Sequence, residues 1–161
     1  MPCRFGYHSN GFANHDLKSM LEILSSIGYE AICLTPDVHH LNPETTDRSA
    51  VREFGRQLEG LGFGCTIETG ARFLLDRTRK HEPTLISETD RRKRIDFLLQ
   101  CVEWAALLGA HCVSFWSGCL NDRVEKERAW EWLVHGCVEV AQRAQDLNVA
   151  IGFEPEPGML I

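Results

Sequence analysis

Five short runs of strand-forming residues alternate along this chain with four longer segments of helical period, an order that points to a parallel α/β sheet. The runs are Arg4 to His8, Ala31 to Thr35, Phe63 to Thr69, Cys112 to Trp116 and Val149 to Glu154. Asn14 or Asp16 can cap a first helix whose apolar stripe is Leu17, Met20, Leu21, Leu24 and Ile27, closed by Gly28. Thr46 or Asp47 opens a second, with Val51, Phe54, Leu58 and Leu61 on one face and Gly62 after its end. A long connection, Gly70 to Glu88, precedes a third helix carrying Ile95, Leu98, Leu99, Val102 and Ala106 and ending at Gly109. Connections of that length are usually functional or mobile. The fourth helix, from about Asn121 to Leu147, has Trp130, Leu133, Cys137, Val140, Ala141, Ala144 and Leu147 at helical spacing.

Successive side chains of a strand point to opposite faces, so each run can be divided into two sides. Phe5 and Tyr7 stand against Gly6 and His8; Ile32 and Leu34 against Ala31, Cys33 and Thr35, with Asp37 next in phase. Phe63, Cys65 and Ile67 oppose Gly64, Thr66 and Glu68; Val113 and Phe115 oppose Cys112, Ser114 and Trp116; Val149, Ile151 and Phe153 oppose Ala150, Gly152 and Glu154. One side of every strand is apolar and suits covering helices. The other ends, at the carboxyl terminus, in His8, Asp37, Glu68, Trp116 or Glu154. A doubly wound sheet would need both sides apolar. A (β/α)8 barrel has a lumen instead, and its top is where catalytic groups collect. The barrel fits better, as about five parallel strands and four helices of an incomplete (β/α)8 TIM-barrel type in one domain over 1–161. A flavodoxin-like sheet is the runner-up, but no glycine-rich phosphate loop follows the first strand in YHSNGFANH.

The net charge of -6 offers no basic field for a polyanion, so nucleic acid is not an expected partner despite local basic runs at Arg77 to His81 and Arg91 to Arg94. No apolar stretch approaches the ~20 residues that cross a bilayer, and the first ten residues lack the apolar core of a secretory signal. The expectation is a cytoplasmic protein with no membrane partner. The seven cysteines include no CxxC pair and are odd in number, which fits neither a zinc ribbon nor a disulfide framework. Cys3, Cys33, Cys65 and Cys112 fall in or beside the strand runs and are expected as buried, reduced thiols.

With these residues laid out, the strand end AIGFEPEPG and the segments LTPDVHHLNP and IETGARFLLD resemble the xylose-isomerase-like TIM-barrel superfamily. That group contains sugar phosphate isomerases and epimerases related to endonuclease IV. The resemblance spans the whole chain, as the first five-eighths of such a barrel. It implies a divalent metal (Mn, Mg, Zn or Co) held by a glutamate at strand five, an acidic residue at strand six, a histidine at strand seven and a glutamate at strand eight. Glu154 takes the first of these roles, and the others have no counterpart before Ile161. The nuclease branch also places histidines near the ends of strands three and four, where this sequence has Glu68-Thr69-Gly70 and Trp116-Ser117-Gly118. That departure counts against DNA repair.

The chemistry so implied is removal of a proton beside a carbonyl, with a cation and a carboxylate stabilising and assisting. Glu154 is the candidate catalytic residue and metal ligand. Glu156 shares its parity and is a second candidate ligand if the strand stays extended, which Pro155 favours for the residue before it. Candidate substrate-binding residues are His8, Asp37, His39 or its neighbour His40, Glu68, Arg72 as a clamp for carboxylate or phosphate, and Trp116 as an apolar wall. Each has a plainer alternative: a solvated loop residue for the histidines and Glu156, a rim ion pair for Asp37, Glu68 and Arg72, core packing for Trp116. The expected function is a metal-dependent isomerase or epimerase of a sugar or sugar phosphate. Its rivals are a barrel that binds without turnover and a metal-dependent phosphodiesterase or endonuclease; a third alternative is a five-stranded open unit that pairs its exposed edges as a homo-oligomer. Five strands of eight would leave these 161 residues inactive alone.

Overall fold

The computed structural model describes residues 3–121 and 123–161. Five strands, β1 (Gly6–His8), β2 (Ala31–Leu34), β3 (Gly64–Glu68), β4 (Cys112–Phe115) and β5 (Ala150–Phe153), form one parallel sheet in the order β1-β2-β3-β4-β5. Sequential order without reversal excludes the flavodoxin-like alternative, whose strand order changes direction at a switch point. It is the order of neighbouring staves in a (β/α)8 barrel, here as an incomplete one.

Four helices follow the strands: α1 (Leu17–Ser26), α2 (Arg48–Leu61), α3 (Arg91–Leu108) and α4 (Lys126–Asp146). The Asp16 side chain accepts from Ser19 N at 2.7 Å and that of Asp47 from Ala50 N at 2.8 Å, so both aspartates cap orphan amides as their position suggested. Gly62 and Gly109 end α2 and α3 at φ values of 69° and 67°, a left-handed conformation that costs glycine little. The fourth helix starts at Lys126, later than the expected Asn121. Contacts run from α2 to α3 and from α3 to α4, and α3 packs on β3 and β4.

The parity argument holds where helices cover the sheet. Ile32, Leu34, Cys65, Ile67, Val113 and Phe115 are buried on the helix side. On the other side His8, Cys33 and Thr66 lie in register, as do Glu68, Ser114 and Gly152 one step higher. It fails at the edges. Phe5 is 74% exposed although its parity assigned it to a helix-covered face, because β1 pairs only with β2. Trp130, expected on the buried stripe of α4, is exposed together with Val134 and Val138 along the flank next to the open β5 edge. All seven cysteines are free: Cys65 and Cys101 are buried, Cys33, Cys112 and Cys137 half-buried, and Cys119 and, against expectation, Cys3 are exposed. Among the described residues no helix is long and apolar enough to cross a membrane.

Candidate active site

At the ends of β1, β2 and β3 a polar cluster closes one side of the mouth. Ser9, fully buried just past β1, accepts a hydrogen bond from Thr35 N at 2.8 Å, and the Thr35 hydroxyl donates to Glu68 Oε2 at 2.8 Å. His8 Nε2 lies 3.3 Å from the same carboxylate oxygen. Burial alone would push the Glu68 carboxyl up. The His8 and Thr35 hydrogen bonds, the His8 charge and the Gly70 N–H together outweigh it and hold the carboxyl below its ordinary range. His8 is raised from 6.5 to about 10, first through its hydrogen bond with Cys33, its in-register neighbour, and then through Glu68. Partial burial opposes that shift, and the Asn10 N–H faces Nδ1 at a long 3.3 Å. A Cβ at Gly70 would sit 2.8 Å from Glu68 Oε1, so a side chain there would displace this carboxylate.

The corner after β2 carries Asp37, half-buried, which accepts from Val38 N at 2.7 Å and exchanges backbone hydrogen bonds with His40 at 3.0 Å each. His40 is buried and its Nε2 donates to His15 O at 2.9 Å, so this imidazole ties two loops together. His39 is exposed.

After β3 the connection is organised by Arg94, which is 3% exposed. Its guanidinium donates to Pro83 O, Thr69 O and His81 O, each at 2.8 Å, and lies 5.1 Å from the Trp116 ring centroid. Trp116 is itself buried and meets His81 edge-on at 5.5 Å, while His81 Nδ1 donates to Gly70 O at 2.8 Å. Trp116 is therefore packed under the rim. Sequence reasoning passed over Arg94 as one member of a basic run. The signal was its phase: it stands four residues before Leu98 and seven before Cys101, on the buried face of α3. Arg72 is exposed.

On the opposite side, Glu154 is half-buried, and its N–H still pairs with Phe115 O at 2.9 Å. Burial first, and then the Glu154 and Cys33 charges, raise the thiol of Cys112, which belongs to the lumen side of β4. The strand does not stay extended beyond it. Met159 N donates to Glu156 O at 3.1 Å, Gly158 adopts a φ of 87°, and Leu160 N reaches Gly118 O at 2.9 Å, folding the tail onto the β4 end. Glu156 is exposed at the start of this turn. Among the described residues no three His, Cys, Asp or Glu side chains are placed to hold a metal ion. Glu154 is a hard oxygen donor suited to a hard cation, but the described residues do not complete a cation site.

The family model for the xylose isomerase-like TIM barrel matches residues 21–161. The chain belongs to that family. Solved structures agree on the fold. An L-ribulose 3-epimerase is 19% identical with a TM-score of 0.71 over 94% of this chain and 49% of its own. The IolI protein with a bound zinc atom is 16% identical with a TM-score of 0.72 over 99% and 54%. A probable 3-DHS dehydratase, AsbF from Bacillus anthracis, is 14% identical with a TM-score of 0.70 over 98% and 54%. The chain thus spans about half the length of these family structures. Comparison with curated protein sequences gives no significant match.

Proposed function

We propose that this chain supplies one half of the mouth of a sugar isomerase or epimerase that works by proton removal next to a carbonyl. The observation that carries the reading is a half-buried carboxylate, Glu154, at the end of β5, with a hydrogen-bonded polar cluster at the ends of β1 to β3. In an eight-stranded barrel, strands four apart face each other across the lumen, so β1 and β5 would flank a bound sugar. Membership of the xylose isomerase-like family and likeness to an L-ribulose 3-epimerase support the same chemistry.

Glu154 is the residue to hold a cation or take up the proton, as a carboxylate in a partly shielded site can do. A divalent cation bound there would supply the Lewis acidity that stabilises a developing enediolate. Cys112, facing the same side of the sheet, stays a neutral thiol and adds no competing charge. His8 at the rim would meet substrate hydroxyls, with Glu68 and Thr35 fixing its ring. Asp37 and His39 border the same opening from the β2 corner.

Incubation of the full-length protein with ketoses, aldoses and their phosphates in heavy water, with Mn, Mg, Zn or Co added in turn, tests this reading. Deuterium should enter the carbon next to the carbonyl of one substrate group, followed by NMR. Absence of exchange with every sugar and every metal would remove the isomerase and epimerase reading.

A further inference from the structure

The segment from Glu68 to Arg72 is held in one conformation by contacts at nearly every residue. Thr69 O accepts from Arg94 and the Thr69 hydroxyl donates to Ser114 O at 2.8 Å. Gly70 O accepts from His81, and Arg72 O accepts from His81 N. Ala71 between them is fully buried at a φ of 45°, a conformation that L-residues adopt only under constraint from their surroundings. Arg72 leaves this fixed turn exposed, four residues beyond the lumen-facing Glu68.

Two features of the same connection are electrostatic. From Arg72 to His81 it carries Arg72, Arg77, Arg79 and Lys80 against a single acid, Asp76, in a chain whose net charge is -6. Among the described residues only Arg79 of these four has a carboxylate partner, with its Nε 2.7 Å from Asp76 Oδ2. Beneath the connection, Arg94 is a buried cation whose three hydrogen bonds all go to carbonyl oxygens, and Glu82 and Glu68 act on it through charge alone. Burial lowers it only to about 10, so it stays charged at neutral pH. A buried cation without a hydrogen-bonded carboxylate projects more field than an exposed, solvated one.

We infer that the connection between β3 and α3 is an anion-reading rim, in which Arg94 positions the turn and Arg72 takes an anionic group of the substrate, a phosphate ester or a carboxylate. The inference rests on the sugar isomerase or epimerase reading for the identity of the rest of the ligand. A guanidinium on a fixed turn loses less freedom on forming a two-pronged bond to such a group than one on a mobile loop.

The test is binding, which needs no turnover. D-fructose, D-fructose 6-phosphate, D-glucuronate and inorganic phosphate are titrated calorimetrically into the full-length protein at low and moderate salt. At least one charged sugar should bind about tenfold or more tighter than D-fructose at low salt, with the advantage shrinking as salt screens it. The phosphate and uronate arms show which group is read. Arg72→Ala should abolish most of the advantage, whereas Arg79→Ala, already paired with Asp76, should keep it. Equal affinity for neutral and charged sugars, an advantage that survives Arg72→Ala, or no binding by any probe would overturn the rim. Arg72-dependent binding of phosphate without any sugar binding would support the rim while sinking the isomerase reading. Fructose binding with no charge preference would do the reverse.

Discussion

His8 Nε2 stands 3.3 Å from Glu68 Oε2 and links the carboxyl ends of β1 and β3 across the end of β2. Thr35 on the intervening strand donates to the same oxygen, so three neighbouring strand ends converge on one carboxylate. The arrangement fixes one wall of the mouth.

The link has a defined pH range. His8 is raised from 6.5 to about 10, so its contribution to stability is complete below pH 6.5 and fades as pH climbs toward 10. Glu68 is held below its ordinary 4.5, so its contribution is present above that pH and is lost on acidification. The two overlap fully between pH 4.5 and 6.5. Thermal denaturation should therefore show stability falling from pH 6.5 to 10, with a shallower fall in His8→Gln. Glu68→Gln should move the His8 NMR titration down by about one unit or more. A His8 midpoint unchanged in that variant would show that the carboxylate does not act on the imidazole.

Arg94 holds Thr69, His81 and Pro83 through their carbonyls, and Arg94→Met would leave those acceptors without their donor. Urea unfolding of the full-length protein should register a loss of about 3 kcal/mol or more. Arg94→Lys keeps the charge but has no planar fork to reach three acceptors, and should recover less than half of it. A loss within about 0.5 kcal/mol of wild type, the range of an ordinary surface substitution, would contradict the clamp.

Much of the fold was legible because it is local. Period-two alternation in β2, β3 and β4 assigned Ile32, Leu34, Ile67 and Val113 to the buried face, and Asp16, Asp47, Gly62 and Gly109 marked helix ends. What stayed hidden depends on contacts distant in sequence. Nothing in the string shows that Thr35 donates to Glu68, 33 residues away, or which carbonyls the Arg94 guanidinium meets, although its helical phase marks it as buried. Phe5 and Trp130 misled because apolar spacing reports a face suited to burial, whereas burial itself requires a neighbour. The turn after Glu156 was legible too, because the Pro157-Gly158 pair is a turn signal and Gly158 adopts a φ of 87° there.

If Glu154 holds a metal ion in the active site, the metal content of the protein depends on its carboxylate. The full-length protein and its Glu154→Gln variant would be purified with equal metal supply, checked for equal folding by circular dichroism, and analysed by inductively coupled plasma mass spectrometry. The wild type should carry a divalent metal near one per chain, and the variant should retain it about tenfold or more weakly. Equal metal content in two equally folded proteins would contradict that role for Glu154.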